Sequence, residues 1–286
     1  MLIETDLTLA GGRTLHVYDR MGGAGDRVTR TVFWQHGTPN LGAPPEPLFE
    51  LSDRLGVRWI SYDRPGYGGS SPDPDRTVGS AATDVAAIAD TLGIEKFAVM
   101  GHSGGGPHVL ACAALLPGRI TAVASLSGPA PVLAYRAEGL DYFAGMYAGG
   151  AAELRASAAG RAELAELLAQ GIFDREMFHE EDWAALAADW AWMGRMAEGG
   201  MAGGPDGMID DDLAYVRPWG FEVTDLAAPV LIVQGDADRV VPHAHGEWLA
   251  RHCPGAEFWS VPGGGHITVL RRAAAALEWL VAHTEH

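Results

Sequence analysis

Phe97-Ala98-Val99-Met100-Gly101-His102-Ser103-Gly104-Gly105 is the stretch that decides the fold. Its first four residues are a short apolar run of the kind found in buried strands, and Gly106 to Leu116 reads as a helix. Between them stands G-x-S-x-G, a strand turning into a helix with a serine at the corner. A side chain on so sharp a turn is forced into strained backbone geometry, and small neighbours let the chain pass without clashes. The Ser103 hydroxyl is thereby held out at the C-terminal edge of a sheet. The unpaired N–H groups and positive dipole end of the following helix favour negative charge developing at that spot. Ser127, before Gly128, has no following helix and reads as a strand-end turn residue.

Outward from this corner the chain repeats strand and helix. Thr5 to Tyr18 alternates apolar and polar residues around Gly11-Gly12, as a hairpin of two half-buried strands does. Apolar runs at Thr31 to Gln35, Val57 to Tyr62 and Ile120 to Leu126 alternate little and belong to strands buried on both faces, while Thr83 to Leu92 reads as helix. Strand alternating with helix means a parallel sheet under right-handed crossovers. The rhythm stops after Pro129-Ala130-Pro131. It resumes at Ala228-Pro229 with strands at Val230 to Gln234 and Glu257 to Val261, each followed by a helix. The expected organisation is a core formed by 1–131 and 229–286 and a helical cap over 132–228. Within the cap, Trp183, Leu186, Trp190 and Met193 stand at helical spacing, and Gly199 to Gly207 reads as a flexible connection.

The hairpin, the serine corner and the insertion together resemble the α/β-hydrolase family, over nearly the whole chain. The resemblance implies an α/β fold: a mostly parallel eight-stranded sheet flanked by helices, with a helical cap inserted after the sixth strand. Gln35-His36-Gly37-Thr38-Pro39 resembles the family's H-G-x-P loop, and Asp63-Arg64-Pro65-Gly66-Tyr67-Gly68-Gly69-Ser70 its segment after the fourth strand, read as a structural turn. An oxyanion needs two backbone donors. The resemblance assigns them to the N–H groups of Gly104 and Thr38, since Pro39 has none. The Thr38 hydroxyl is expected to touch substrate or water, and His36 to tie the loop. His266, after Gly263-Gly264-Gly265, stands on a loop at the correct sheet edge and is the candidate general base. Gly235-Asp236-Ala237-Asp238-Arg239-Val240-Val241-Pro242 offers two carboxylates to orient it. The family pattern G-x-x-D-x-x-x-P selects Asp238, with Asp236, the alternative, bracing the loop. No Asp or Glu lies between Arg119 and Arg136, which closes the position some relatives use near Ser127.

The implied chemistry is cleavage of a carboxylic ester, lactone or related acyl bond of an apolar small molecule through an acyl-enzyme on Ser103, without a cofactor. Hydrolysis of a carbon–carbon bond in a diketone-like substrate uses the same triad. A ligand-sensing protein with little turnover would keep the same residues. Dehalogenases and epoxide hydrolases of the family attack with an Asp where this chain has Ser103. Candidate substrate contacts are His36, His102, Tyr142, Trp190 and Trp219, with Trp219-Gly220-Phe221 as cap hinge and pocket wall. Cap aromatics such as Phe173 and Trp183 divide between pocket and cap core, and His108, His283 and His286 read as incidental.

With 286 residues, 48% hydrophobic and 20% charged, the chain has the composition of a globular fold. A net charge of −17 repels phosphate backbones and anionic membranes, so the expected partner is a small-molecule substrate rather than nucleic acid or membrane, for a monomer or homodimer. Met1-Leu2-Ile3-Glu4-Thr5-Asp6 lacks the basic start and apolar run of a secretory signal, and no apolar stretch nears the ~18 residues of a membrane span, so a cytoplasmic location is expected. Cys112 and Cys253 read as bystander thiols. His243-Ala244-His245 lacks a third ligand and reads as a solvated helix start, so no metal is expected.

Overall fold

The computed structural model describes residues 1–22, 30–171 and 174–284; Phe173 and His286 lie outside the described residues. The strands are β1 (Leu2–Thr8), β2 (Thr14–Arg20), β3 (Arg30–Gln35), β4 (Val57–Tyr62), β5 (Phe97–His102), β6 (Ile120–Leu126), β7 (Val230–Gly235) and β8 (Glu257–Val261). They form one sheet in the order β1-β2-β4-β3-β5-β6-β7-β8. Pairings β1–β2 and β2–β4 are antiparallel and all others parallel. The mostly parallel eight-stranded sheet is thus the one expected from the sequence. One detail differs: β1, at the sheet's edge, is exposed along nearly its whole length, and only β2 alternates.

The helices are α1 (Phe49–Leu55), α2 (Ser80–Thr91), α3 (Gly105–Leu115), α4 (Val132–Ala137), α5 (Ala148–Ala159), α6 (Arg161–Ala169), α7 (Glu180–Ala187), α8 (Ala191–Met201), α9 (Asp206–Val216), α10 (His243–His252) and α11 (Ala273–His283). Strand periodicity sorts the core into two layers, because successive side chains point to opposite faces. Phe33, Phe97, Val99 and Ile232 pack with α2, α3 and α10 on one face. Val32, Trp34, Ala98, Met100, Leu231 and Val233 pack with α1 and α11 on the other. Helix α1 escaped the sequence reading, although Arg54 in its last turn and Gly56 in the left-handed conformation (φ 65°) form a recognisable C-terminal stop.

Helices α4 to α9 occupy the insertion between β6 and β7. The helical spacing of Trp183, Leu186, Trp190 and Met193 crosses a break. Trp183 and Leu186 belong to α7, and Trp190 stands at the N-cap of α8, where its N–H bonds back to Ala185 O at 2.9 Å. Gly199 to Gly207 is a connection only over 202–205, between α8 and α9. Gly199 and Gly200 lie in α8 and Gly207 in α9, and each is a point of close approach: a Cβ on Gly200 would fall 1.6 Å from Pro39 O.

The strand order reverses beside β3, with β4 on one side and β5 on the other, and Gln35 is in register with Gly101. The loops leaving the C-terminal ends of β3 and β5 therefore part at the switch point where open α/β sheets bind ligands.

Candidate active site

Ser103 sits at the turn from β5 into α3 with φ 54°, in the left-handed region that a residue with a Cβ occupies only under strain. The turn is held by Ser103 N–H to Leu126 O (2.9 Å) and Gly106 N–H to Ser103 O (2.8 Å). It closes only because its flanks are bare: a Cβ on Gly105 would lie 2.0 Å from Gln35 O.

His266 Nε2 is 2.9 Å from Ser103 Oγ, and His266 Nδ1 is 2.9 Å from Asp238 Oδ2. Asp238 Oδ1 accepts the N–H groups of Val240 and Val241, both at 2.9 Å. Burial pushes the Asp238 carboxyl up, but the facing His266 and these hydrogen bonds win and hold it below the usual carboxylate value. Asp236 stands apart and accepts Gly263 N–H at 2.7 Å, bracing the loop before His266. The structure thus brings Ser103, His266 and Asp238 together and leaves Asp236 aside.

The His36–Pro39 loop lies beside the serine, and a Cβ on Gly37 would sit 3.3 Å from Ser103 Cβ. Among the described residues, the backbone N–H groups of Thr38 and Gly104 have no hydrogen-bond partner, and both residues border the space in front of Ser103. The Thr38 hydroxyl is committed elsewhere, contrary to expectation. It donates to Asp211 Oδ2 (2.7 Å) and lies 2.9 Å from the Tyr215 hydroxyl, which itself donates to Gly104 O (3.0 Å). His36 is buried, with Nδ1 donating to Gly37 O (2.8 Å) and Nε2 accepting Arg64 N–H (3.0 Å). Burial and the neighbouring Arg64 keep it neutral, far below the usual histidine value. It ties the loop and touches neither cavity at Ser103.

Two cavities meet at Ser103. The larger, ≈ 300 Å³, is almost wholly apolar, with Phe178, Trp183, Leu186, Met193 and His102 among its walls. The smaller, ≈ 100 Å³, is bordered by Tyr142, Met146 and Tyr147 and by Glu153 and Asp212. Of the candidate substrate contacts, His102 and Tyr142 border these cavities. Trp190 and Trp219 do not. Trp190 is buried against Trp192, and Trp219 packs on Phe221 in the core while its Nε1 donates to Tyr215 O at 3.2 Å. His102 is pressed to a pKa of about 3 by burial and by His266, and donates Nε2–H to His266 O at 2.9 Å.

Several residues that sequence reasoning passed over support this geometry. Asp182 of α7 is 1% exposed, and its carboxylate accepts the N–H groups of His266 (3.1 Å), Ile267 (3.1 Å) and Thr268 (2.7 Å). Asp211 of α9 accepts from Arg64, Arg76, Tyr67 and Thr38 together. Burial alone would raise Asp211, but the two guanidiniums hold it well below the ordinary carboxylate range. The Asp63–Ser70 segment is therefore more than a turn, because Arg64 ties α9 to the carbonyls of His36 and Gly37. His108 is also structural rather than incidental, with Nδ1 2.7 Å from Gly104 O, and His245 is buried against Tyr142 instead of solvated. A signal was present: Asp210-Asp211-Asp212 beside Ile209 and Leu213 spans too wide an arc of a helix for all three acids to face water.

Among the described residues no group of three or more His, Cys, Asp or Glu could hold a metal ion, and no helix is long and apolar enough to cross a membrane. Cys112 and Cys253 are free and buried, and burial pushes both thiols up to about 12.

Residues 30–273 match a family model described as alpha/beta hydrolase fold. The chain is 26% identical over 256 residues to the bifunctional esterase/perhydrolase DCH of Acinetobacter calcoaceticus, covering 85% of this chain and 87% of that one. It is 30% identical over 230 residues to a non-heme chloroperoxidase of Streptomyces lividans, covering 77% and 78%. Among solved structures it is similar to a thermophilic esterase from Thermogutta terrifontis, with TM-score 0.68 at 22% identity and 99% of both chains covered.

Proposed function

The chain belongs to the alpha/beta hydrolase fold family, and from that membership we propose that it is a serine hydrolase cleaving a carboxylic ester, lactone or related acyl bond of a small, largely apolar molecule. The observation that carries the reading is the run of two 2.9 Å contacts from Ser103 through His266 to the buried Asp238, opening between two cavities. Residues 1–131 and 229–286 form the catalytic core in this reading, and 132–228 the cap that sets substrate choice, in a cytoplasmic monomer or homodimer.

In the first step His266 Nε2 takes the Ser103 proton as Oγ attacks the scissile carbonyl carbon. The carbonyl oxygen gains the negative charge and turns toward the free N–H groups of Gly104, at the start of α3, and of Thr38, in the loop after β3. One such donor is worth about 3 kcal/mol in the transition state. Asp238 keeps the His266 Nδ1 proton in place and stabilises the imidazolium. Collapse breaks the acyl–oxygen bond, and His266 hands its proton to the departing alcohol oxygen. Water, deprotonated by His266, then attacks the acyl-enzyme carbonyl, releasing the acid and returning the proton to Ser103. The relative from Acinetobacter calcoaceticus, named an esterase/perhydrolase, supports acyl transfer as the shared chemistry.

The test is a fluorophosphonate probe followed by a chromogenic ester series, on wild type and on Ser103→Ala. Labelling confined to Ser103 and loss of turnover in the variant are expected. An unlabelled Ser103, or ester turnover that survives the substitution, sinks the proposal.

A further inference from the structure

Triad chemistry leaves two acids at the smaller cavity without a task. Glu153 on α5 and Asp212 on α9 border it together with Ser103, Gly104 and Thr38. Three consecutive acids on α9 divide unequally. Asp210 pairs with Arg76 and Arg161, and Asp211 with Arg64 and Arg76. Asp212 has no cationic side chain among the described residues, nor has Glu153. Asp212 is only 3% exposed, and no N–H or hydroxyl of the described residues reaches its Oδ2. A buried acid without a cation is costly, and an apolar residue of the same volume would fill the position at less cost.

The two carboxyls endure this by keeping protons. Burial raises Glu153 to about 7, and burial together with the adjacent Glu153 and Asp211 raises Asp212 far above the carboxylate range. The two are hydrogen-bonded to each other and neither has a cationic partner among the described residues, so a positive charge with N–H donors would find two acceptors here. The cavity supplies the room for one: it is ≈ 100 Å³, has Tyr142, Met146, Tyr147, Met208 and Tyr215 among its walls, and reaches Ser103. A chain of about three or four heavy atoms fits such a volume. The overall charge of −17 also gathers cations toward the protein.

We propose that the smaller cavity binds a protonated amine on the substrate, with Glu153 and Asp212 as its acceptors and the scissile carbonyl at Ser103. The substrate class is then an amino-substituted short-chain ester or lactone whose other side is apolar and enters the ≈ 300 Å³ cavity. This assignment rests on the serine-hydrolase reading above. An ammonium entering the cavity exchanges its hydration for charge-assisted N–H···O bonds to both carboxyls, the interaction that Arg64 and Arg76 supply to Asp211.

The experiment compares p-nitrophenyl 3-aminopropanoate with its isostere p-nitrophenyl butanoate and with the 3-hydroxypropanoate ester, each rate corrected for hydroxide-catalysed hydrolysis. Wild type should favour the amino ester over butanoate in kcat/KM by about tenfold or more. Glu153→Gln and Asp212→Asn should each bring that ratio to within about threefold of one. A wild-type ratio near one, a ratio that survives both substitutions, or an equal preference for the hydroxy ester overturns the proposal. A binding arm does not depend on turnover: calorimetry of n-butylamine against 1-butanol on Ser103→Ala. Tighter binding of the amine, lost in the double variant with Glu153→Gln, supports the site even if no ester is cleaved, in which case only the hydrolase reading falls. Equal binding of amine and alcohol overturns the amine site and leaves the hydrolase reading standing.

Discussion

Asp182 belongs to an insertion helix, yet its carboxylate receives the backbone N–H groups of His266, Ile267 and Thr268 at 3.1, 3.1 and 2.7 Å. These N–H groups open the short helical turn at Thr268–Arg272 and have no partner within it. In Asp182→Asn a carbonyl oxygen can still serve Ile267 and Thr268, but an NH2 group then faces the N–H of His266, donor against donor. A hydrogen bond to a charged group is worth about 1.5–3 kcal/mol, so losing one and weakening two predicts destabilisation of about 2 kcal/mol or more. For a chain of this size that lowers Tm by roughly 4 °C or more. The larger consequence is positional, because the shifted strand of backbone carries the imidazole. A misplacement on the order of 1 Å can cost about a hundredfold in rate, and a drop in kcat of about ten- to a hundredfold is expected. KM should change little, since Asp182 borders neither cavity. Calorimetric Tm and steady-state kinetics on one chromogenic ester measure both effects. An Asn variant with wild-type Tm and kcat, or a loss confined to KM, would refute the argument.

Asp238→Asn should lower kcat by about three to four orders of magnitude, because the amide favours the wrong His266 tautomer, whereas Asp236→Asn, which weakens only the contact to Gly263, should cost less than tenfold, or about 1 kcal/mol. A larger loss from the second variant would reverse the assignment of the acid. Glu153 makes a pH prediction. Its carboxyl is raised from 4.5 to about 7 in the folded chain, so between those values the unfolded chain has released a proton that the folded chain still holds. Stability therefore falls as pH rises from about 4.5 to about 7 and levels off above, with a contribution on the order of 1.4 kcal/mol for each unit of the shift. Burial opposes its ionisation and outweighs the hydrogen bond with Asp212, which favours it. Glu153→Gln should flatten that stretch of a urea-denaturation profile and raise stability at pH 8; an unchanged slope would exclude the raised carboxyl.

Ser103, His266 and Asp238 were legible because each is announced by its own neighbours: glycines around a strand end, a glycine run before a histidine, an acid at a fixed step after a strand. Strand boundaries were legible for the same reason, since apolar runs bounded by turn residues are local. What stayed hidden is whatever is answered from far along the chain. Asp211 meets Arg64 across 147 residues, and Asp182 meets His266 across 84. Nothing near Asp182 tells it apart from Glu180 and Glu181, which share the favourable first turn of α7, until the loop after β8 arrives to bury it. Trp219 misled in the opposite direction, because an aromatic residue near the end of an insertion suits a pocket wall and a core equally well. The hidden contacts follow one pattern. A polar side chain of the insertion meets each of three loops that the proposed chemistry needs: Asp182 the loop of His266, Asp211 the loop of Thr38 through Arg64, and His179 the loop of Asp238, bonding Ala237 O at 2.6 Å. The insertion helices are therefore bonded to the loops around Ser103, and an exchanged insertion would have to supply partners at these same places to keep those contacts.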